Sequence, residues 1–207
     1  MPVGYTPLSF AKAREIVNSG KIADLYRSPE CMEKYNKFKK VLKDEGIDMT
    51  TRIVVKQLHW LPPSTSLRTP SSEILKEIEP QDSTPFANEH DITIVTNSFP
   101  YYLEDGLVHL CAWVKFPMPS DPESELGDIS EKMKQLVDLY VNKTFVDHLG
   151  LTEDKVLWFK NWATLQSIKT IPHIHVILDH PDPKKVQALL GTGGVPIDYS
   201  TDIASKL

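Results

Sequence analysis

Two pairs of short apolar runs, separated by one long amphipathic segment, constrain this chain more than any other feature. The runs are 91–96 (DITIVT), 107–115 (LVHLCAWVK), 155–160 (KVLWFK) and 173–178 (HIHVIL). Each is short, rich in β-branched or aromatic residues and flanked by turn formers, which predicts strands. Between the second and third runs, Ile129, Met133, Leu136, Val137, Tyr140, Val141, Thr144 and Phe145 recur at helical spacing. Asp128 followed three residues later by Glu131 resembles a capping box, and Gly150 is a stop. Hairpin, helix, hairpin predicts an α+β fold with an antiparallel sheet.

Upstream of the first strand pair the grammar is helical. Thr6-Pro7 is a start and Gly20 a stop. Ser28-Pro29-Glu30 is a stronger start, with a side-chain cap, proline at the first position and an acid at the positive dipole end. Cys31, Met32, Tyr35, Phe38 and Leu42 then share one side, the intervening lysines form a solvated face, and Gly46 ends the run. The segment 52–60 (RIVVKQLHW) reads as a strand by composition, and 61–72 as a Pro/Ser/Thr-rich connector leading to a short helix over 72–79. Asp182-Pro183 opens a last helix that stops at Gly191. The expected organisation is therefore a helical extension over 1–60 ending in a strand, a connector over 61–90, an α+β domain over 91–191 and a loose tail over 192–207.

Composition narrows the partners. Of 207 residues, 23 are Lys or Arg and 28 Asp or Glu, a formal charge of −5, so no basic excess points to nucleic acid or an anionic membrane. The best apolar run, near 107–114, is too short to span a bilayer and contains His109. The N-terminus has no signal-peptide pattern, and Cys31 and Cys111 read as buried thiols of a reducing compartment. The expectation is a cytoplasmic protein, also nuclear, that binds neither nucleic acid nor membrane.

The sharpest chemical feature is Pro172-His173-Ile174-His175-Val176-Ile177-Leu178. On a strand, His173 and His175 project from one face ~6–7 Å apart while Ile174, Val176 and Leu178 enter the opposite layer. A neutral imidazole with one nitrogen held by an acceptor can attack phosphorus with the other, which makes these two the candidate catalytic residues. A metal on His173 and His175, completed by Asp179 or the neighbouring His180, is the weaker alternative, and neither metal nor cofactor is expected. Asn97 opens a turn, His109 lies mid-strand, and Asn161, Gln166 and Ser167 precede the histidine strand. Such amides and hydroxyls suit ribose and phosphate oxygens as well as turns. Trp113, Trp158 and Trp162 are expected to pack in the core or at its rim.

The segments HDITIVTNSFPYYLEDGLVHLCAWVKFPMP and VLWFKNWATLQSIKTIPHIHVILDHPDP, with LYRSPECMEKYNKF upstream, resemble the fungal N-acetylglucosamine-induced protein 1 family over about residues 22–191. That resemblance implies an intracellular fungal protein linked to the N-acetylglucosamine response. The strand order is also similar to the histidine-triad (HIT-like) superfamily of nucleotidyl transferases and hydrolases. This second resemblance implies a HIT-like nucleotide or nucleotide-sugar pocket, with His175 as nucleophile assisted by His173. By the same resemblance Asn97 holds ribose, Asn161, Gln166 and Ser167 lie at the phosphate, and His109 sits on the neighbouring strand. It also implies a homodimer, although no exposed apolar stripe argues for one. The third polar position of the triad is Ile177 here, the approach to the strand lacks glycines, and the 167–173 segment is long. These departures fit the alternative function, a non-catalytic adaptor or regulator of aminosugar metabolism that keeps the fold.

Overall fold

A computed structural model describes residues 6–162, 164–166 and 168–203. Among these residues six α-helices and four strands follow one another, four helices leading into hairpin, helix, hairpin and a last helix: α1 Phe10–Asn18, α2 Pro29–Glu45, α3 Met49–Lys56, α4 Ser71–Ile74, β1 Ile92–Thr96, β2 Leu107–Val114, α5 Glu131–Val141, β3 Val156–Phe159, β4 His173–Asp179 and α6 Pro183–Leu189. The strands form one antiparallel sheet in the order β1-β2-β4-β3, so the fold is α+β and β2 and β4 are its central pair.

Strand alternation gives the sheet two unlike faces. One carries Ile92, Ile94, Leu110, Ala112, Val114, Ile174, Val176 and Leu178, buried against Val137, Tyr140, Val141 and Phe145 of α5 and its wider π-type continuation Asn142–His148. The opposite face carries His109, Cys111, Trp113, His173 and His175. It is covered by the N-terminal helices: α3 packs Ile53, Val54 and Val55 near Cys111 and Trp113, and α1 packs beside Leu157, Phe159 and Ile177. The histidine face therefore lies between two layers. No helix among the described residues is long and apolar enough to cross a membrane.

Helix starts and stops follow local chemistry. Ser28 accepts from Cys31 N at 3.1 Å, Pro29 occupies the first turn, and Gly46 closes α2 in the left-handed region at φ 66°. The α5 cap lies two residues later than Asp128: Ser130 accepts from Met133 N at 3.3 Å, while Asp128 pairs with Lys134 at 2.9 Å.

Two expectations are corrected. The segment 52–60 is not a strand; its first half belongs to α3. Asp48 caps that helix by accepting from Thr51 N at 2.9 Å, and burial of Ile53, Val54 and Val55 outweighs their β propensity. Over its described part, residues 192–203, the tail is not loose. Ile197 is 2% exposed and donates its N–H to Phe86 O at 2.8 Å, Val195 N donates to Thr144 Oγ1 at 3.0 Å, and Lys143 pairs with Asp202.

Candidate functional site

Strand register assembles the site. Cys111 of β2 faces His175 of β4, Trp113 faces His173, and His109 faces Ile177, so His109 and His175 are diagonal neighbours on one face. His109 Nε2 lies 3.0 Å from His175 Nδ1, and Cys111 Sγ lies 3.5 Å from the same nitrogen. On the other side of the ring, Asn161 Nδ2 lies 3.1 Å from His175 Nε2. Both nitrogens of His175 are thus engaged by the chain itself.

Each imidazole also has an aromatic partner. Phe159 stacks on His175 with centroids 5.0 Å apart, Tyr101 on His109 at 5.1 Å, and Trp113 on His173 at 4.0 Å. His173 fixes its ring further through Nδ1, 3.1 Å from Ile171 O. Burial dominates their protonation. It pulls His109 down to about 3 and His173 to about 4, and it holds His175 well below its ordinary value, with the neighbouring His109, His173 and Arg27 adding to the effect. Burial pushes the Cys111 thiol up to about 12. Near neutral pH the cluster is three uncharged imidazoles and an uncharged thiol.

A cavity of about 100 Å³ opens beside the rings, bordered by Cys111, Trp113, Asn161, His173 and His175 from the sheet side. The helical side contributes Tyr35, Phe38, Ile53 and Gln57, and the β1 end contributes Asn97 and Phe99. Arg27 is the one lining residue of fixed charge, and no carboxylate lines the space among the described residues. Its guanidinium is held by Nε donating to Phe99 O at 2.8 Å and by its position over the Tyr35 and Tyr101 rings. The Trp113 indole N–H has no hydrogen-bond partner among the described residues although it is buried.

The candidate residues from the sequence distribute unevenly. His173, His175, Asn97 and Asn161 border the cavity. Asn97 forms an Asx turn by accepting from Phe99 N at 2.9 Å, with its Nδ2 3.3 Å from His109 Nε2. His109 is behind His175 rather than at the cavity wall. Gln166 Nε2 donates to Asn161 O at 2.6 Å and so braces Asn161. Ser167 lies outside the described residues. The alternative metal set on His173, His175 and Asp179 does not assemble. Asp179 is four residues along β4 from His175, ~13 Å for an extended chain, and its carboxylate pairs with His180 Nδ1 at 2.7 Å. Arg27, Trp113 and Cys111 were not singled out as site residues. For Cys111 a signal existed, the same two-residue spacing from His109 that separates His173 from His175. Arg27 reaches the cavity only through tertiary packing.

These features define an α+β protein whose central histidine strands are enclosed by an N-terminal helical layer around a small cationic cavity. The chain belongs to the family described as "Protein of unknown function (DUF3605)", which matches residues 9–179. It is 38% identical over 192 residues to N-acetylglucosamine-induced protein 1 of Candida albicans, covering 90% of this chain and 74% of that protein. It is 30% identical over 168 residues to the Saccharomyces cerevisiae protein YPL067C, covering 81% of this chain and 77% of the other. Among solved structures, one titled "Crystal Structure of HTC1" superposes with a TM-score of 0.70 at 26% identity, covering 92% of this chain and 99% of that one.

Proposed function

We propose that the protein serves a cytoplasmic response to N-acetylglucosamine by binding a phosphorylated small molecule, an aminosugar phosphate or nucleotide-sugar, in the cavity beside His175. The name of the Candida albicans relative supports the aminosugar link. The observation that carries the ligand class is the lining itself: Arg27 as the fixed charge, no carboxylate among the described residues, and the uncharged polar side chains of Asn97 and Asn161 around it. Charge-assisted hydrogen bonds from a guanidinium favour phosphate oxygens. About 100 Å³ suits a phosphoryl group. Sites for drug-sized ligands are ~300–1,000 Å³, so a base or sugar extends past Tyr35, Phe38 and Phe99. The sheet order with its histidine pair on the central strand supports a HIT-like ancestry for this pocket.

A thermal-shift series with inorganic phosphate, N-acetylglucosamine 6-phosphate and UDP-N-acetylglucosamine tests the reading. A ligand at a hundredfold its dissociation constant adds ~2.7 kcal/mol, or ~5–10 °C for a chain of this size. No shift with any of the three removes the pocket assignment.

A second reading, nucleotidyl transfer, draws on the uncharged state of His175. In it, Nε2 leaves Asn161 and attacks the phosphoryl centre, and the leaving oxygen departs with the electron pair of the broken P–O bond. Water then cleaves the P–N bond and returns the imidazole, with His173 orienting the substrate. His175→Ala should abolish product release from nucleotide-sugars; turnover retained in that variant eliminates this reading.

A further inference from the structure

We infer that His109, Cys111 and His175 form a binding site for one thiophilic d-block cation, Zn²⁺ or Cu⁺, with its open coordination position facing the cavity. The inference goes beyond the anion pocket and does not depend on it.

Geometry comes first. One donor atom from each residue, the imidazole nitrogens and the thiol sulfur, lies within 4.8 Å of the other two. Two of the separations are 3.0 Å (His109 Nε2 to His175 Nδ1) and 3.5 Å (Cys111 Sγ to His175 Nδ1). Three atoms so spaced leave a point at most ~2.4 Å from all of them, against metal–nitrogen bonds of ~2.0–2.1 Å and metal–sulfur bonds of ~2.3 Å. Closing those bonds takes side-chain adjustments of a few tenths of an ångström. The strands supply the rigidity: Cys111 and His175 are register partners on the two central strands, and His109 is two residues along β2.

The donor set selects the ion class. Two imidazoles and a thiol, without an oxygen ligand, reject magnesium and calcium and suit zinc or monovalent copper. Arg27 adds positive charge nearby, and ionisation of Cys111 offsets the charge brought by the cation. The proton balance is simple: the thiol proton is released to solvent as the metal–sulfur bond forms. Tyr101 N donates to His109 Nδ1 at 3.4 Å, so the proton between the two rings is carried by His109 Nε2; as the metal takes that nitrogen, the proton moves to His109 Nδ1 and the long Tyr101 hydrogen bond is given up. His175 carries its own proton on Nε2, where the Asn161 carboxamide can accept with its oxygen turned to the ring, an outer-shell partner of the kind metal-bound histidines use. Cys111 and His175 both border the cavity, so a fourth ligand, water or a phosphate oxygen, enters from there.

The test uses the full-length chain, purified without metal-affinity steps and treated with chelator. It is titrated with Zn²⁺ in air-equilibrated buffer and with Cu⁺ under anaerobic reducing conditions. One equivalent of either ion is expected, and the pair of titrations identifies which. Co²⁺ should give a thiolate-to-cobalt charge-transfer band. Cys111→Ser should lose that band and weaken binding at least ~100-fold, whereas Cys31→Ser should leave both unchanged. No stoichiometric binding, a cobalt spectrum without a thiolate band, or affinity unchanged in Cys111→Ser overturns the inference. The cobalt spectrum of the unmutated chain decides the matter if Cys111→Ser does not fold. Arg27→Gln should retain the metal, so a failed anion pocket and a failed metal site give different results.

Discussion

His109 and His175 meet across the two central strands with Nε2 3.0 Å from Nδ1, both rings buried and both uncharged near neutral pH. Two imidazoles in contact cannot both be protonated without strong repulsion in a low dielectric. The contact therefore ties the integrity of the sheet to the protonation state of its centre.

Acid should destabilise the fold in a defined window. An unfolded histidine takes up a proton below about 6.5, whereas folded His109 does so only at about 3 and His173 at about 4. The unfolded chain thus binds more protons in between, and stability is complete above about 6.5 and lost as pH falls toward those folded values. Each such histidine contributes a slope of up to ~1.4 kcal/mol per pH unit. Denaturant titrations between pH 7 and 4.5 should show this steep fall; a flat profile contradicts the buried neutral cluster.

Ile177→His, which restores the missing third polar position by sequence, should damage the protein rather than improve it. Ile177 is fully buried with Leu8, Tyr101 and Leu157 under α1 and faces His109 across the strands, so an imidazole there would be enclosed mostly by apolar side chains and crowded against a ring whose nitrogens already have partners. A loss of ~2–4 kcal/mol is expected from an unsatisfied buried polar group and lost packing. Chemical denaturation reads it, and a variant as stable as the parent would mean that α1 does not seal this position.

Asp48→Ala should remove two hydrogen bonds at the start of α3, from Thr51 N at 2.9 Å and Ser71 N at 3.2 Å. Loss of a cap costs about 1 kcal/mol, and the second bond adds to it. A melting temperature unchanged by the substitution would contradict the helical assignment of 49–56.

Gly193→Ala tests the docking of the C-terminal segment. A Cβ there would stand 1.9 Å from Glu89 O, a backbone atom with little freedom to yield. Overpacking of this kind costs ~1–3 kcal/mol, a fall of several degrees in melting temperature. No change would mean that the segment after 192 is not seated as described.

The four strands, α2, α5 and the shared face of His173 and His175 were legible because each is written in local periodicity or capping chemistry. What escaped depends on contacts between distant segments. Ile53, Val54 and Val55 favour a strand by type, and only their burial near Cys111 and Trp113 makes a helix the better solution. The anchoring of 192–203 rests on Phe86, Thr144 and Lys143, none of them near in sequence. The site was half legible: the histidine pair and both asparagines are at the cavity. Arg27 arrives from a helix entry more than 130 residues away from His173, and no periodicity announces it.

Isothermal titration with N-acetylglucosamine 6-phosphate, run on the parent chain and on Arg27→Gln, tests the anion-pocket assignment most directly. Saturable one-to-one binding to the parent is expected, with at least a tenfold weaker affinity in the variant, the loss of ~1.4 kcal/mol or more that follows when a charged hydrogen bond to phosphate is removed. Absence of binding to the parent, or equal affinity in both, would contradict the assignment.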